Sequence, residues 1–145
     1  MEGVRRVTRA ILRYFYPLYA FLIVLQVYFA GEGIFGNRDR EILIAEHDSL
    51  ELHRGVGFFL TTLGALLLLV LALLAWLPTM RTRVFSILLP ILLFVQLVLP
   101  GGGRWVAGLH PVNALVVLAL LGYLSRELWR GRAHTAEERS AVGTA

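Results

Sequence analysis

Four long apolar runs divide the chain, each close in length to a membrane-spanning helix. The first covers about residues 11–30, "ILRYFYPLYAFLIVLQVYFA", and the second about 50–77. The third covers about 81–99 and contains Pro90, and the fourth covers about 104–126. A span needs roughly twenty predominantly apolar residues. The second run exceeds that and can tilt. Runs two and three carry almost no polar stripe, which a helix on a water-soluble domain would show. Pro90 predicts a kink in the third helix. The pattern therefore predicts an all-α, membrane-embedded, up-down four-helix bundle, one domain over residues 1–145. Residues 127–145 are expected to form a frayed tail, helical at most near its start.

Composition supports lipid as the solvent. The chain is 57% hydrophobic and 17% charged, which is far from the balance of soluble domains. A pI near 10.1 would suggest nucleic acid in a soluble protein. Here the arginines flank the apolar runs, so membrane anchoring is the reading and nucleic acid is excluded. All fourteen basic residues are arginine, and ten of them fall on the side shared by the N-terminus, the turn near Arg81 and Arg83, and the C-terminus. The other side holds Arg38, Arg40, Arg54 and Arg104 with six acids from Glu32 to Glu51. This asymmetry puts both termini in the cytoplasm of a bacterial cell, with the chain in the inner membrane. The first run follows a basic start but is long for a signal core and lacks a clear cleavage site, so it is read as a retained helix.

The loop from Gly31 to Leu52 is too long for a simple turn, and "REILIAEHDSL" suggests a short outer helix. Asp48 and Glu51 have capping-box spacing and would start the second helix near Ser49. His47 falls just outside it and reads as an exposed loop histidine, and His134 as a solvated residue of the tail.

Candidate chemistry comes from an internal repeat. The second helix opens with "LHRGVGFFL" from Leu52, and the fourth with "LHPVNALVV" from Leu109. Each follows a run with a glutamine near its outer end, Gln26 in the first and Gln96 in the third. The chain thus reads as two hairpins of the form helix–Gln–loop–Leu–His–helix. His53 and His110 then lie at similar depth on helices that sit diagonally, about 12–14 Å apart. Two imidazoles reaching inward leave room for one metal about 2 Å from each nitrogen. There is no cysteine, so thiolate sites and Fe–S clusters are excluded. A bare Zn²⁺ would want about four ligands, so a haem iron held by two histidines fits better.

Gly57 and Thr61 lie below His53 on its own face, with Gly64 and Ala65 continuing the row, and Ala114 lies below His110. Such small residues leave space for a flat ring, although in membrane helices they more often serve close packing. Arg54 and Arg104 at the rim suit haem propionates, with snorkelling to headgroups as the simpler use. Gln26, Gln96 and Asn113 are candidates to hydrogen-bond a ligand edge or the second nitrogen of a histidine. Pro111 leaves two starting points for the fourth helix, near Trp105 or at Pro111.

These residues resemble a domain-of-unknown-function family of small bacterial four-helix membrane proteins. Such proteins carry a histidine near the start of helix two and an "LHxxNA"-like motif opening helix four, here Leu109, His110, Asn113 and Ala114. More distantly, "ELHRG" from Glu51 to Gly55 is similar to one half of haem A synthase. That resemblance implies haem ligation by His53 and His110, with Glu46 or Glu51 as candidates for the acid of its oxidation chemistry. The leading expectation is a b-type haem protein of the inner membrane, passing electrons or handling haem, with a redox partner or a quinone as its partner class. Whether it is an enzyme stays open. The alternatives are a cofactor-free interaction or assembly protein and a small proton-coupled transporter. The transporter fits less well, because spans one to three lack an ionisable group at depth.

Overall fold

The computed structural model describes residues 1–35 and 50–143, with side chains described for 1–34 and 50–131. The described residues are helical almost throughout, with no strand among them. Helix α1 covers Glu2–Phe35. The second span is built from α2 (Glu51–Phe59), a wide π turn (Leu60–Gly64) and α3 (Ala65–Ala75). Helix α4 covers Met80–Val98 and ends in a 3₁₀ turn, Leu99–Gly101. A short α5 (Gly103–Ala107) leads into α6 (Leu109–Gly143). Among the described residues four helical stretches are long and apolar enough to cross a membrane: Glu2–Ile34, Glu51–Ala75, Met80–Gly101 and Gly103–Gly131.

The spans pack in chain order around a square, with the second and fourth across its diagonal. Neighbours run antiparallel. Going up α1, Arg9, Tyr19 and Gln26 meet Ala75, Leu60 and His53 in turn. Going up α4, Phe85, Leu92 and Gln96 meet Tyr123, Asn113 and His110. The core is a column of fully buried side chains that includes Leu12, Tyr16, Leu68, Leu89, Leu93 and Leu121. Large apolar side chains such as Phe21, Phe58, Leu66 and Leu115 point outward. A soluble domain rarely exposes so continuous an apolar surface, and lipid covers it without cost.

The observed limits correct two sequence expectations and decide a third. Helix α1 starts at Glu2, not near residue 11, because "EGVRRVTRA" is compatible with helix and its inner face is used: Thr8 is buried and Arg9 reaches the second span. Of the two expected starting points for the fourth span, the structure agrees with the one near Trp105: the helical stretch opens at Gly103. Gly108 separates the α5 turn from α6, which places Pro111 in the first turn, where a missing N–H breaks no helical bond. The expected frayed tail is replaced by a continuation of α6 to Gly143. The outer-loop helix and residues Arg38, Arg40, Glu46, His47 and Asp48 lie outside the described residues. Glu51 opens α2 behind Leu50, which makes no side-chain cap.

At the arginine-bearing end, the Trp76–Thr79 turn joins the second and third spans. Trp76 takes a left-handed backbone conformation at φ 40°, which is strained for a bulky residue. Arginine holds it there. Arg9 donates to the carbonyls of Ala75 (2.9 Å) and Trp76 (2.7 Å), and Arg83 to those of Leu77 (2.7 Å) and Pro78 (3.1 Å). Arg83 also lies over the Trp76 ring. These carbonyls close the second span and have no helical donor, so the guanidinium forks supply one. Thr79 caps α4 by accepting from the Thr82 N–H.

Candidate functional site

At the other end of the bundle the structure brings His53 and His110 together, with ring centroids 6.2 Å apart and ring planes at 77°. Each ring is held by the helix that precedes it in sequence. His53 Nδ1 lies 3.0 Å from the backbone oxygen of Gln26, and His110 Nδ1 lies 3.1 Å from that of Gln96. A carbonyl oxygen only accepts, so each Nδ1 carries a proton, and in the neutral ring the lone pair is then on Nε2. Two such imidazoles cannot hydrogen-bond to one another through Nε2. In that tautomer both Nε2 atoms are Lewis bases. This is the hydrogen-bond pattern by which proteins orient and strengthen a ligating histidine.

The sequence singled out Gln26 and Gln96 for their side chains, yet their main chains hold the rings. For Gln96 the reason is local: Pro100, four residues on, has no N–H to offer its carbonyl. For Gln26, inside α1, the carbonyl's second lone pair serves. The side chains do different work. Gln96 Oε1 accepts from Asn113 Nδ2 at 2.6 Å, and Asn113 also donates to the Leu92 carbonyl at 2.9 Å. Asn113 therefore braces the third span against the fourth and does not line the cavity described next. The Gln26 side chain is buried, and neither its Nε2 nor its Oε1 has a hydrogen-bond partner. A buried amide left unpaired costs about 1–3 kcal/mol, so it marks a place where a polar partner is expected.

These groups line a cavity of about 770 Å³, with Gln26, His53, Gly57, Thr61, His110 and Ala114 on its wall. That size falls in the range of roughly 300–1,000 Å³ usual for cofactor sites. The rest of the wall is largely apolar, with Ile23, Leu60, Leu93 and Val117 among it. Gly57 keeps the space open: a Cβ there would stand 3.1 Å from Gln26 Oε1. The π turn lies just below, and its Leu60 and Thr61 reach the wall. The Thr61 hydroxyl donates to the Gly57 carbonyl at 2.8 Å, and the Tyr19 hydroxyl donates to that of Leu60. In an apolar medium such side-chain donors satisfy a helix that leaves its regular ladder. Gly64 and Ala65 serve packing. Ala65 is fully buried, and a Cβ on Gly64 would come within 2.6 Å of the Tyr19 hydroxyl.

Of the two rim arginines, Arg54 lines the cavity. Arg104 does not; its guanidinium lies over the neighbouring Trp105 ring. Among the described residues no third His, Cys, Asp or Glu joins the two histidines. The set is thus two imidazoles on a largely apolar cavity wall, which suits a metal that brings further ligands of its own. Sequence reasoning named the Gln26 side chain but missed the carbonyl braces. Only Pro100 offered a signal for them.

A model of a family of unknown function, DUF6220, matches residues 26–103. The match takes in Gln26, His53 and Gln96 and stops short of His110. No curated protein and no solved structure matches the chain. The likeness to one half of haem A synthase rests on the quoted residues alone.

Proposed function

We propose a function for a chain that belongs to DUF6220, a family whose own function is unknown: it holds a b-type haem near one face of the membrane, between the second and fourth spans. The observation that carries this reading is the histidine pair. An iron about 2 Å from one nitrogen of each ring sets the two ring centroids roughly 6 Å apart, and the separation here is 6.2 Å. Both rings offer their Nε2 lone pair because both Nδ1 protons are given to carbonyls. The donor set therefore fits bis-imidazole ligation. Gly57, Thr61 and Ala114 supply room for a flat ring, and Arg54 is the group on the cavity wall suited to a propionate. Haem held in this way supplies one-electron redox chemistry. The protein's part is to fix the two rings, exclude water with its leucine and valine walls, and offer the Gln26 amide to a polar edge. Electron transfer or haem handling follows as the role, with a redox partner or quinone as the class of partner.

The matched hydrogen bonds, His53 to Gln26 and His110 to Gln96, also support reading the chain as two repeated hairpins. The arginine asymmetry supports a bacterial inner-membrane location with both termini in the cytoplasm. Reporter fusions at Ala145 and within residues 36–49 are expected to report opposite sides of the membrane; the same side for both would refute the topology. The test of function is the visible spectrum of detergent-purified protein supplied with haem. A sharp Soret band with narrow reduced α and β bands is expected, because two imidazoles make the iron low-spin. No bound haem, under conditions that load a known b-type cytochrome, would leave the protein a cofactor-free assembly component.

A further inference from the structure

The end of the bundle opposite the histidines carries a second cavity, of about 1150 Å³, between the start of α1, the Leu77–Thr79 turn and the later part of α6. Five arginines line it, Arg5, Arg6, Arg9, Arg13 and Arg130, against two carboxylates, Glu2 and Glu127. Arg5, Arg9 and Arg13 recur at four-residue intervals and so share a face of α1. Not all of this charge is used within the protein. Arg9 is committed to the carbonyls of Ala75 and Trp76, and Arg130 stands 3.9 Å from Glu127. Among the described residues Arg5 and Arg6 have no acidic partner. Arg13 lies over the Trp129 ring, yet its Nε is buried without a hydrogen-bond acceptor. A buried donor of this kind calls for an acceptor that the protein does not supply.

The wall beside these cations is apolar, formed by Leu77, Leu124 and Leu128. An inorganic phosphate would use the guanidiniums and leave the leucines idle. An amphiphile uses both, with its phosphate on the planar guanidinium forks and its chains along the leucines. We propose that this cleft binds one anionic phospholipid by its headgroup phosphate, as basic pockets between membrane helices do. The site is independent of the haem reading and stands or falls without it.

The test uses the full chain, purified in detergent and stripped of lipid, with binding read by native mass spectrometry. Short-chain phosphatidylglycerol, the matching phosphatidylcholine and inorganic phosphate are the probes. Phosphatidylglycerol is expected to bind roughly tenfold tighter than phosphatidylcholine. The double variant Arg5→Gln/Arg6→Gln should erase that preference. Among the described residues these two side chains make no hydrogen bond or ion pair, and unchanged helical circular dichroism verifies that the variant is folded. Arg126→Gln, which removes a charge at the same end but outside the cleft, should keep the preference. Equal binding of the two lipids, or a preference that survives in the double variant, would overturn the proposal. So would displacement of phosphatidylglycerol by inorganic phosphate at equal concentration, which would make the cleft a free-phosphate site.

Discussion

The two ends of the bundle handle polar groups in opposite ways. At the arginine-bearing end, cations reach for carbonyls and rings: Arg9 and Arg83 close the Trp76–Thr79 turn, and Arg81 lies over Phe85 and Tyr123. At the histidine end the carbonyls come to the side chains. Two rings are pinned by the main chains of Gln26 and Gln96, and a buried amide lies beside a cavity without a hydrogen-bond partner. The difference teaches how to tell polar residues that build a membrane bundle from those that serve something else. Arg9 and Arg83 have their acceptors within the fold. The histidine end is well braced but incompletely satisfied, and the missing partner has room of about 770 Å³.

The comparison breaks most sharply at the histidines. If the two imidazoles hold a haem iron, His53→Ala or His110→Ala should abolish the low-spin spectrum or turn it high-spin, since either change would remove one of the iron's two protein ligands. His47→Ala and His134→Ala should leave the spectrum as it was. Haem loss from His47→Ala as well would mean that the first ligand lies in the outer loop. These variants should cost little stability, because the rings line a cavity and fill no core.

The reverse is expected of residues that build the fold. Gly64→Ala would push a methyl group into the Tyr19 hydroxyl and should destabilise by about 1–3 kcal/mol, as overpacking does. Arg9→Ala removes two charge-assisted bonds from the end of the second span, one of them partly buried, and should cost about 2 kcal/mol. Thermal unfolding in detergent measures both, and the haem spectrum of the surviving folded protein should be unchanged. A lost spectrum in a fully folded Arg9→Ala protein would show that the two ends are coupled and the division drawn here is false.

The smallest effect is expected at the rim. Arg54→Ala should weaken haem retention by about 1 kcal/mol, because its guanidinium is exposed and water competes for any propionate it holds. Haem transfer to apomyoglobin gives the rate. Arg104→Ala should change it less, since that side chain rests on Trp105 and does not line the cavity. Equal losses from both would restore Arg104 to the site.

The sequence by itself determined four apolar helices, the two ends with their unequal arginine content, and the pairing of His53 with His110. Each of these is a matter of residue type and period: lipid selects long apolar runs, and a repeat of Gln and His at matched positions places both rings at one level. Only the tertiary structure decided the distance between the rings, the bracing by main-chain carbonyls, and the isolation of the Gln26 amide. Every residue carries a carbonyl, so its use leaves no mark in the sequence except where Pro100 withholds a donor from Gln96. The period of a helix tells which residues share its face, but not how near that face comes to another helix. That distance is set by the side chains wedged between them, by Tyr19 fitted against Gly64 and by Gln26 lying over Gly57. The helical ends were hidden for a related reason. Hydropathy reports where lipid stops, and α1 and α6 run on past that limit because their backbone bonds are made within the helix whatever the solvent outside.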